Sequence, residues 1–304
     1  MKKILTYGKL VWIDLEAPTK DEIRDVMENF SVHPIVAEEL MQPTLRPKVD
    51  LYDNLIYLIL HFPAKGHTNS LGPNQEIDFI IGNDFLISVH YDTIDAIHKF
   101  AKVFETNSIT HNTDIGDHAG YIFYLLTKKL YSAVEHELED FDSKMEDIAE
   151  KMFAGKEKEM VKEISELSQI LIDFKRTMLS HHSVLVSLER AGIKFFGSSF
   201  IHHFKRIEGE QYKVTSVIEG LQESVKEIRE TNNSMLTTKQ NEVMKILTIM
   251  AFVTFPLSLI ASIFGMNTNY LPFIGNPYDF WMVIGLMFIL TISFFIFFKK
   301  NKWL

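Results

Sequence analysis

Two long uncharged stretches near the C-terminus dominate the hydrophobic pattern of the chain. Charged residues are scattered through the first 245 positions, but none occurs in 246–264 or in 280–298. Each stretch is close to the roughly 20 apolar residues that a helix needs to cross a hydrocarbon core. The alternative is a buried hairpin of a soluble protein, but two such stretches in series are hard to bury otherwise. We therefore predict two transmembrane helices, an outer loop at 265–279 and a basic tail at 299–304.

The pattern before residue 105 is typical of a mixed α/β domain. Thr19 and Glu22 have the spacing of a capping box, and they precede the helical periodicity of a segment that ends at Phe30. Gly82-Asn83-Asp84 is a hairpin signal between two strands. Stretches rich in β-branched and aromatic residues predict strands at 11–15, 55–61, 76–81 and 85–90.

Helical periodicity replaces the strand pattern from about residue 120. The acidic run at 133–153 predicts a helix with a solvated face, although such a run could also hold metal loosely. A second helix is predicted at 157–188, a break at 192–199, and a last helix that begins near His202. The fold prediction is an α+β cytoplasmic domain at 1–200, followed by a stalk helix at 201–245.

This stalk helix is predicted to continue into the first membrane stretch at 246–264. No proline occurs between residues 201 and 255, and the only glycines there are Gly209 and Gly220. One face carries an apolar stripe that should pack against another element. The stripe consists of Val214, Ile218, Leu221, Val225, Ile228 and Met235.

A second stripe on the same helix has the 3.5-residue spacing of helices that wind around a common axis. An ordinary seam of this kind is Leu, Ile and Val, whereas this one is acidic, then polar, then mostly small or hydroxylated. We call this set the polar seam. It consists of Glu223, Glu227, Glu230, Ser234, Thr237, Asn241, Met244, Thr248, Ala251, Phe255, Ser258 and Ser262.

A polar stripe in a membrane helix is costly unless it faces partners or water. Several copies of the chain around one axis would therefore line a hydrated pore with the polar seam, closed at apolar constrictions. The alternative is that the hydroxyls donate to carbonyls of their own helix. That alternative explains single positions more easily than the whole pattern, so we predict a homo-oligomer.

Charge predicts the orientation and limits the partners. Lys239 and Lys245 precede the first membrane stretch and Lys299, Lys300 and Lys302 follow the second, while the connecting loop has no Lys or Arg. The positive-inside rule then places both termini in the cytoplasm. A formal net charge of −9 argues against nucleic acid as a partner. The absence of cysteine excludes thiolate metal sites, and the first nine residues lack the apolar run of a secretory signal.

The outer loop supplies a candidate ion site. Gly265 is expected to end the first membrane helix, which places Asn267 at the outer mouth. A ring of Asn carboxamides can bond to the water shell of a cation without removing it. Mg²⁺ suits such a site because it gives up its water reluctantly.

In Gly265-Met266-Asn267, set between two C-terminal membrane stretches, the chain resembles the CorA family of divalent-metal transporters. The resemblance covers essentially the whole length, with further similar segments at 30–34, 46–50, 241–245, 256–257 and 298–304. It implies a funnel-shaped homopentamer in the inner (plasma) membrane that takes up Mg²⁺, often with Co²⁺ or Ni²⁺. It also implies closure when cytosolic Mg²⁺ is high, so that Mg²⁺ is both the transported and a regulatory ion, with no other cofactor.

The resemblance also implies roles by position. Asn267 corresponds to the outer selectivity residue, Asn241 and Met244 to the inner constriction, Phe255 to a hydrophobic narrowing and Glu230 to an acidic ring. Glu223 and Glu227 extend that cytosolic acidic mouth.

Two departures from the family pattern stand out. The loop has Phe273 where members commonly have a glutamate, and its nearest acid is Asp279. Arg206 and the region near Ala64 stand where well-known members have a regulatory acidic pair, so the regulatory metal site is left unassigned.

Two rival functions remain open. A Zn²⁺ transporter of the related ZntB type is suggested by the 12 histidines. However, the adjacent pairs His181-His182 and His202-His203 point about 100° apart on a helix and make poor ligands, so we interpret them as packing or surface residues. A non-conducting membrane-anchored sensor would need no polar seam. The sequence has no Walker loop, HExxH or nucleophile elbow, so no enzyme is predicted.

Overall fold

The computed structural model describes residues 1–44, 46–63, 74–110, 116–266, 278–301 and 303. These residues divide into two compact units, Met1–Arg229 and Glu230–Leu304. The strands are β1 Lys2–Tyr7, β2 Leu10–Glu16, β3 Lys48–Leu51, β4 Ile56–Pro63, β5 Asn74–Ile81 and β6 Phe85–His90. The helices are α1 Lys20–Phe30, α2 Pro34–Glu39, α3 Asp95–Thr110, α4 Gly120–Phe153, α5 Glu157–Phe196, α6 Ile201–Phe264 and α7 Asp279–Lys300.

The first unit contains a mixed sheet in the order β1-β2-β6-β5-β4-β3. Its neighbouring strands are antiparallel except β2 and β6, which run parallel with Ile13 beside Ile87. Tyr57, Leu58 and Ile59 of β4 are each 0% exposed, because helices cover both faces of the sheet.

The two faces of the sheet have different cores. On one face Ile13, Leu15 and Ile87 pack with Ile23 and Val26 of α1 and with residues of α2. On the other face aromatic rings join the sheet to α3, α4 and α5. These contacts include Trp12 with Phe100, Phe79 with Phe123, and Phe62 with Tyr131. The sheet is therefore the middle layer of three.

The predicted N-terminal signals have the expected geometry. The Glu22 amide donates to Thr19 Oγ1 over 3.3 Å, and the Thr19 amide donates to Glu22 Oε2 over 2.9 Å, which completes the capping box. In the hairpin between β5 and β6, the Gly82 amide donates to the Phe85 carbonyl over 2.8 Å.

Buried His181 ties α5 to the sheet. Its Nε2 lies 2.7 Å from the His61 carbonyl of β4, and its Nδ1 lies 2.7 Å from the Tyr131 hydroxyl of α4. Burial lowers the pKa of His181 to about 4, so the ring is neutral near pH 7. A neutral ring donates at Nε2 and accepts at Nδ1, which matches both partners.

The break predicted at 192–199 begins too early. Helix α5 continues to Phe196, and the chain turns at Gly197, whose φ of +89° favours glycine. Gly192 instead lies inside α5, where the ring of Phe204 from α6 occupies the space of a side chain. A Cβ at Gly192 would lie 2.1 Å from Phe204 Cζ. The glycine therefore serves helix packing and does not end the helix.

We expect Gly192→Ala to destabilise the first unit although alanine is the better helix former. The added methyl must displace Phe204, and overpacking of this kind costs about 1–3 kcal/mol. For a unit of this size each kcal/mol lowers the melting temperature by about 2–4 °C, which thermal unfolding of the full-length protein in detergent can measure. Gly209→Ala is the matched control because its Cβ would meet nothing within 4 Å. An unchanged melting temperature for Gly192→Ala would contradict the packing role.

Candidate functional site: the polar seam of helix α6

Helix α6 is continuous over 64 residues, from Ile201 to Phe264. At a rise of 1.5 Å per residue it is roughly 96 Å long. Its first part belongs to the first compact unit and its last part to the second. The proline within it, Pro256, has no amide hydrogen to donate to the Phe252 carbonyl, yet the helix goes on to Phe264. The predicted continuation of the stalk into the first apolar stretch matches this helix.

The apolar stripe fixes the first part of α6 to α5. Val214, Ile218, Leu221 and Val225 are all buried. Polar contacts flank them, since Gln211 Nε2 donates to the Met178 carbonyl over 3.0 Å and Gln222 Nε2 to the Leu171 carbonyl over 3.3 Å. Lys175 and Glu219 add an ion pair of 3.0 Å.

The polar seam lies on the opposite side of the helix from this stripe. Glu223 follows buried Leu221 by two residues, which is about 200° around an α-helix. Glu223, Glu227 and Glu230 are exposed, and the only ion pair that the described residues show for them joins Glu223 to Lys226. Beyond Glu230, every member of the seam is exposed except Thr248 and Ala251, which are half-buried. The seam is therefore an open face of the single chain.

Several seam hydroxyls are hydrogen-bonded within α6. Ser234 donates to the Glu230 carbonyl over 3.0 Å, Thr237 to the Asn233 carbonyl over 2.8 Å and Thr248 to the Met244 carbonyl over 2.7 Å. The hydrogens of these hydroxyls are thus engaged within the helix, as the alternative interpretation expects. Their oxygens still have lone pairs that can accept a further hydrogen bond.

The apolar members of the seam are more exposed than a folded chain in water would tolerate. Met244 is 55% exposed and Phe255 is 73% exposed. Their neighbours Met250, Phe252 and Leu259 are also exposed, so α6 is apolar on several sides here. An apolar surface of this extent indicates lipid or partner helices around it.

The two C-terminal helices have the properties of membrane spans. Helix α6, in its last part, and α7 are each long and apolar enough to cross a bilayer. Phe298 is the one residue of α7 that is buried in the chain. The Trp303 ring stacks on it at 6.0 Å, and the Trp303 amide donates to the Phe298 carbonyl over 2.9 Å.

The motif after α6 is described only in part. Helix α6 ends at Phe264, where the Gly265 amide donates to the Ala261 carbonyl over 2.9 Å and the Met266 amide to the Ile263 carbonyl over 3.3 Å. A Cβ at Gly265 would lie 3.0 Å from the Ala261 carbonyl oxygen, which favours glycine. Asn267 lies outside the described residues, so its position at the mouth stays a prediction.

The histidine pairs do not converge. His182 is exposed with its Nδ1 3.9 Å from Glu208, while His203 stacks on the Phe200 ring at 4.7 Å. Among the described residues, no group of three or more His, Asp or Glu side chains is arranged to hold a metal ion. Arg206 lines a shallow cleft with Lys128, Lys205 and Glu210. The surroundings of Arg206 are therefore rich in cations and unlike an acidic metal site.

Comparisons with known proteins cover the whole chain. A family model described as "CorA-like Mg2+ transporter protein" matches residues 7–300. The cobalt/magnesium transport protein CorA of Thermotoga maritima is 26% identical over 299 residues, which cover 96% of this chain and 83% of that protein. The protein of the same name from Methanocaldococcus jannaschii is 25% identical over 300 residues, which cover 97% and 92%.

Solved structures share the fold. The complete CorA magnesium transporter from Methanocaldococcus jannaschii matches with a TM-score of 0.85 and 21% identity, over 99% of this chain and 94% of that one. The ZntB cytoplasmic domain from Vibrio parahaemolyticus matches with a TM-score of 0.61 and 15% identity, over 75% of this chain and 88% of that one. The prediction of an α+β domain, a long helix and two C-terminal apolar helices is confirmed.

If several copies meet along the polar seam, cysteines placed on it should form disulfides between subunits. The natural chain has no cysteine, so each single replacement is unambiguous. We expect Ser258→Cys to form covalent dimers on mild oxidation in the membrane, because seam side chains converge near the axis. Gel electrophoresis without reductant gives the readout.

Leu259→Cys is the matched control for this experiment. Leu259 is the next residue and is 62% exposed in the single chain, but it points about 100° away from the seam. Equal dimer yields at the two positions would contradict convergence along the seam.

Proposed function

The chain belongs to the family of CorA-like Mg²⁺ transporter proteins, and on this basis we propose that it is a channel for hydrated divalent cations, chiefly Mg²⁺. The observation that carries the proposal is the polar seam, which is mostly exposed along α6, whereas the apolar stripe opposite its first part is buried at Val214, Ile218, Leu221 and Val225. Relatives named as cobalt/magnesium transport proteins support the choice of Mg²⁺ and of Co²⁺ as further cargo, and the resemblance to the family adds Ni²⁺.

We propose that the channel is a homo-oligomer, specifically a pentamer, around an axis parallel to the seam. A single α6 has one polar face and cannot enclose water, so copies must supply the other walls. In the inner membrane both termini would lie in the cytoplasm, because lysines flank the two spans on that side and the loop at 265–279 has none.

The polar groups along the proposed path can accept hydrogen bonds from the water shell of an ion. A hydrated ion binds at the Asn267 ring, passes Ser262, Ser258 and Thr248, and leaves by Asn241 and the acidic mouth. Water bound to a cation presents its hydrogens outward. Hydroxyl oxygens whose own hydrogens are engaged by the helix, as at Thr248, are suited to accept them.

The membrane potential supplies the driving force in this proposal. Moving two charges inward through a negative-inside potential releases about 4.6 kcal/mol per 100 mV, so no fuel is needed. Cytosolic Mg²⁺ would act as the closing ion. Its site would use acids away from Arg206, whose neighbours in the cleft include Lys128 and Lys205.

Zn²⁺ is the second candidate cargo, since the cytoplasmic fold is also similar to that of a ZntB domain. The described residues show no group of three or more His, Asp or Glu side chains for either ion. Competition between Mg²⁺ and Zn²⁺ for flux separates the two.

We expect wild-type protein in liposomes to carry Mg²⁺ inward when a negative-inside potential is imposed, and Asn267→Ala to abolish that flux. The substitution removes the carboxamides that would hold the hydrated ion. A Mg²⁺-sensitive dye inside the liposomes measures the rate. Asn269→Ala, in the same loop, is the control and should keep wild-type flux. Normal flux in Asn267→Ala would remove the proposed role of the mouth, and no wild-type flux would favour Zn²⁺ or a non-conducting sensor.

We expect Phe255→Ala and Met244→Ala to leak Mg²⁺ when high internal Mg²⁺ holds the channel closed. An apolar ring can stop ions by excluding water, and a smaller side chain admits it. Leu259→Ala removes a similar apolar volume away from the seam and should stay closed. Closed-state flux equal to that of the wild type in both seam variants would refute the gate.

A further inference from the structure

The second unit has an apolar groove between α6 and α7, near the C-terminal end of α7. Its volume is about 730 Å³. Phe252 of α6 forms one wall, and Phe294 and Phe297 of α7 form the other. Ser293 and Asn301 are the polar lining residues. The groove is thus apolar along its length, with hydrogen-bonding groups at a few points.

Trp303 closes the groove at the C-terminal end of the chain. Its ring lines the groove and stacks on Phe298, which is 4% exposed. The Trp303 amide is held by the Phe298 carbonyl. Tryptophan is enriched at membrane interfaces, where its ring lies at the level of the lipid headgroups. The ring therefore marks the depth at which the groove meets the interface.

Two exposed lysines adjoin this end of the groove. Lys299 and Lys300 are exposed, and the described residues show no ion pair for either. In the sequence, Lys239 and Lys245 lie just before the apolar stretch of α6, and Lys302 follows α7. The only acid between residues 231 and 278 is Glu242, and none follows Asp279. The surroundings of the groove thus have an excess of positive charge.

We propose that this groove binds an anionic phospholipid from the leaflet on the lysine side. An acyl chain would lie between Phe252 and Phe297, and the phosphate would meet Lys299, Lys300 and the Asn301 amide. Apolar walls beside a cationic, hydrogen-bonding rim match the two parts of such a lipid. A free phosphate would leave the apolar walls unused.

A second copy of the chain is the other candidate occupant of the groove. Copies related by an axis along the membrane normal place the same residues at the same depth. In a homo-oligomer every subunit therefore brings its lysines to this level, and another copy cannot offset their positive charge. A lipid phosphate at this depth instead offsets the charge.

The groove adjoins a second cavity on the polar seam. That cavity has a volume of about 470 Å³ and is lined by Asn241, Met244 and Thr248 together with Asn301 and Trp303. Because Asn301 and Trp303 line both spaces, an occupied groove would limit movement of the tail beside Met244. This consequence for gating rests on the proposed function, whereas lipid binding does not.

Trp303 fluorescence offers a direct test in the full-length protein. The chain has 3 tryptophans, of which Trp12 is 0% exposed in the first unit and Trp281 lies at the opposite end of α7. In a Trp281→Phe background, we would titrate phosphatidylglycerol with brominated acyl chains into liposomes of unlabelled phosphatidylcholine. Brominated phosphatidylcholine is the parallel probe. Bromine quenches a nearby indole.

We expect saturable quenching with phosphatidylglycerol. Half-maximal quenching should need a lower mole fraction of this lipid than of phosphatidylcholine, by a factor of roughly five for each lysine engaged. The double variant Lys299→Gln, Lys300→Gln should give nearly the same quenching curve with both lipids. Ser293→Phe should fill the groove and remove saturation, whereas Ile292→Phe, on the next residue and 44% exposed, should not. Trp303→Phe identifies the signal, because the saturable quenching should disappear.

Identical curves for the two lipids in the wild type would overturn the proposal. So would an absence of quenching by either lipid, which would mean that a second copy covers the groove. The readout does not need conduction, so a failure of the proposed channel would leave the lipid result intact. Mg²⁺ flux that is the same with and without phosphatidylglycerol, despite saturable quenching, would overturn only the link to gating.

Discussion

A membrane helix must satisfy its backbone hydrogen bonds internally, and this constraint governs the long helix α6. Within hydrocarbon no water is present to bond a free amide or carbonyl, so the helix has to remain unbroken from one side to the other. The chain accepts one local exception at Pro256, which leaves the Phe252 carbonyl without its usual partner. Because the backbone groups are hydrogen-bonded within the helix, only the side chains determine which of its faces contacts lipid, a partner helix or water. In the membrane-spanning part of α6, the polar members of the seam therefore need partners or water beside them.

The first unit holds the first part of α6 by contacts that leave the seam exposed. Gln211 and Gln222 reach carbonyls of α5, so that helix must keep its register beside α6. Helix α5 is in turn held to the sheet by His181, whose neutral ring bonds the His61 carbonyl. A chain of hydrogen bonds therefore runs from β4 through α5 to α6. The acids of the seam are left exposed: Glu223 pairs with Lys226 of the same helix, and Glu227 and Glu230 face outward.

Much of this fold could be predicted, because long elements repeat their signals many times. The strands β4, β5 and β6 and the helices from α4 onward have clear periodicity. The four-residue strand β3 alternates polar Lys48 and Asp50 with apolar Val49 and Leu51, but it is too short for that alternation to stand out, and none of its residues is buried. The role of Gly192 was predicted wrongly because the sequence alone does not distinguish a glycine that makes room for a neighbouring ring from one that ends a helix. Such a difference depends on Phe204, a residue distant in sequence.

The candidate site shows the same division between local pattern and tertiary contact. The seam from Glu223 to Ser262 follows from spacing alone, since its residues lie on a single helix. The stacking of Trp303 on Phe298 could not be read from spacing, because it depends on how the chain turns after α7. Asn267 lies beyond the described part of α6, so its role rests on the motif.

The hydroxyls of the seam also bear on which ions it could pass. Thr237 and Thr248 give their hydrogens to carbonyls of α6, which leaves their oxygens as acceptors toward any axis of assembly. Acceptors stabilise water whose hydrogens point at them, and the shell of a cation is oriented in that way. The shell of an anion has the reverse orientation and would need the donors that the helix has already engaged. The self-bonded hydroxyls, first weighed as an argument against a pore, therefore favour a pore for hydrated cations over one for anions.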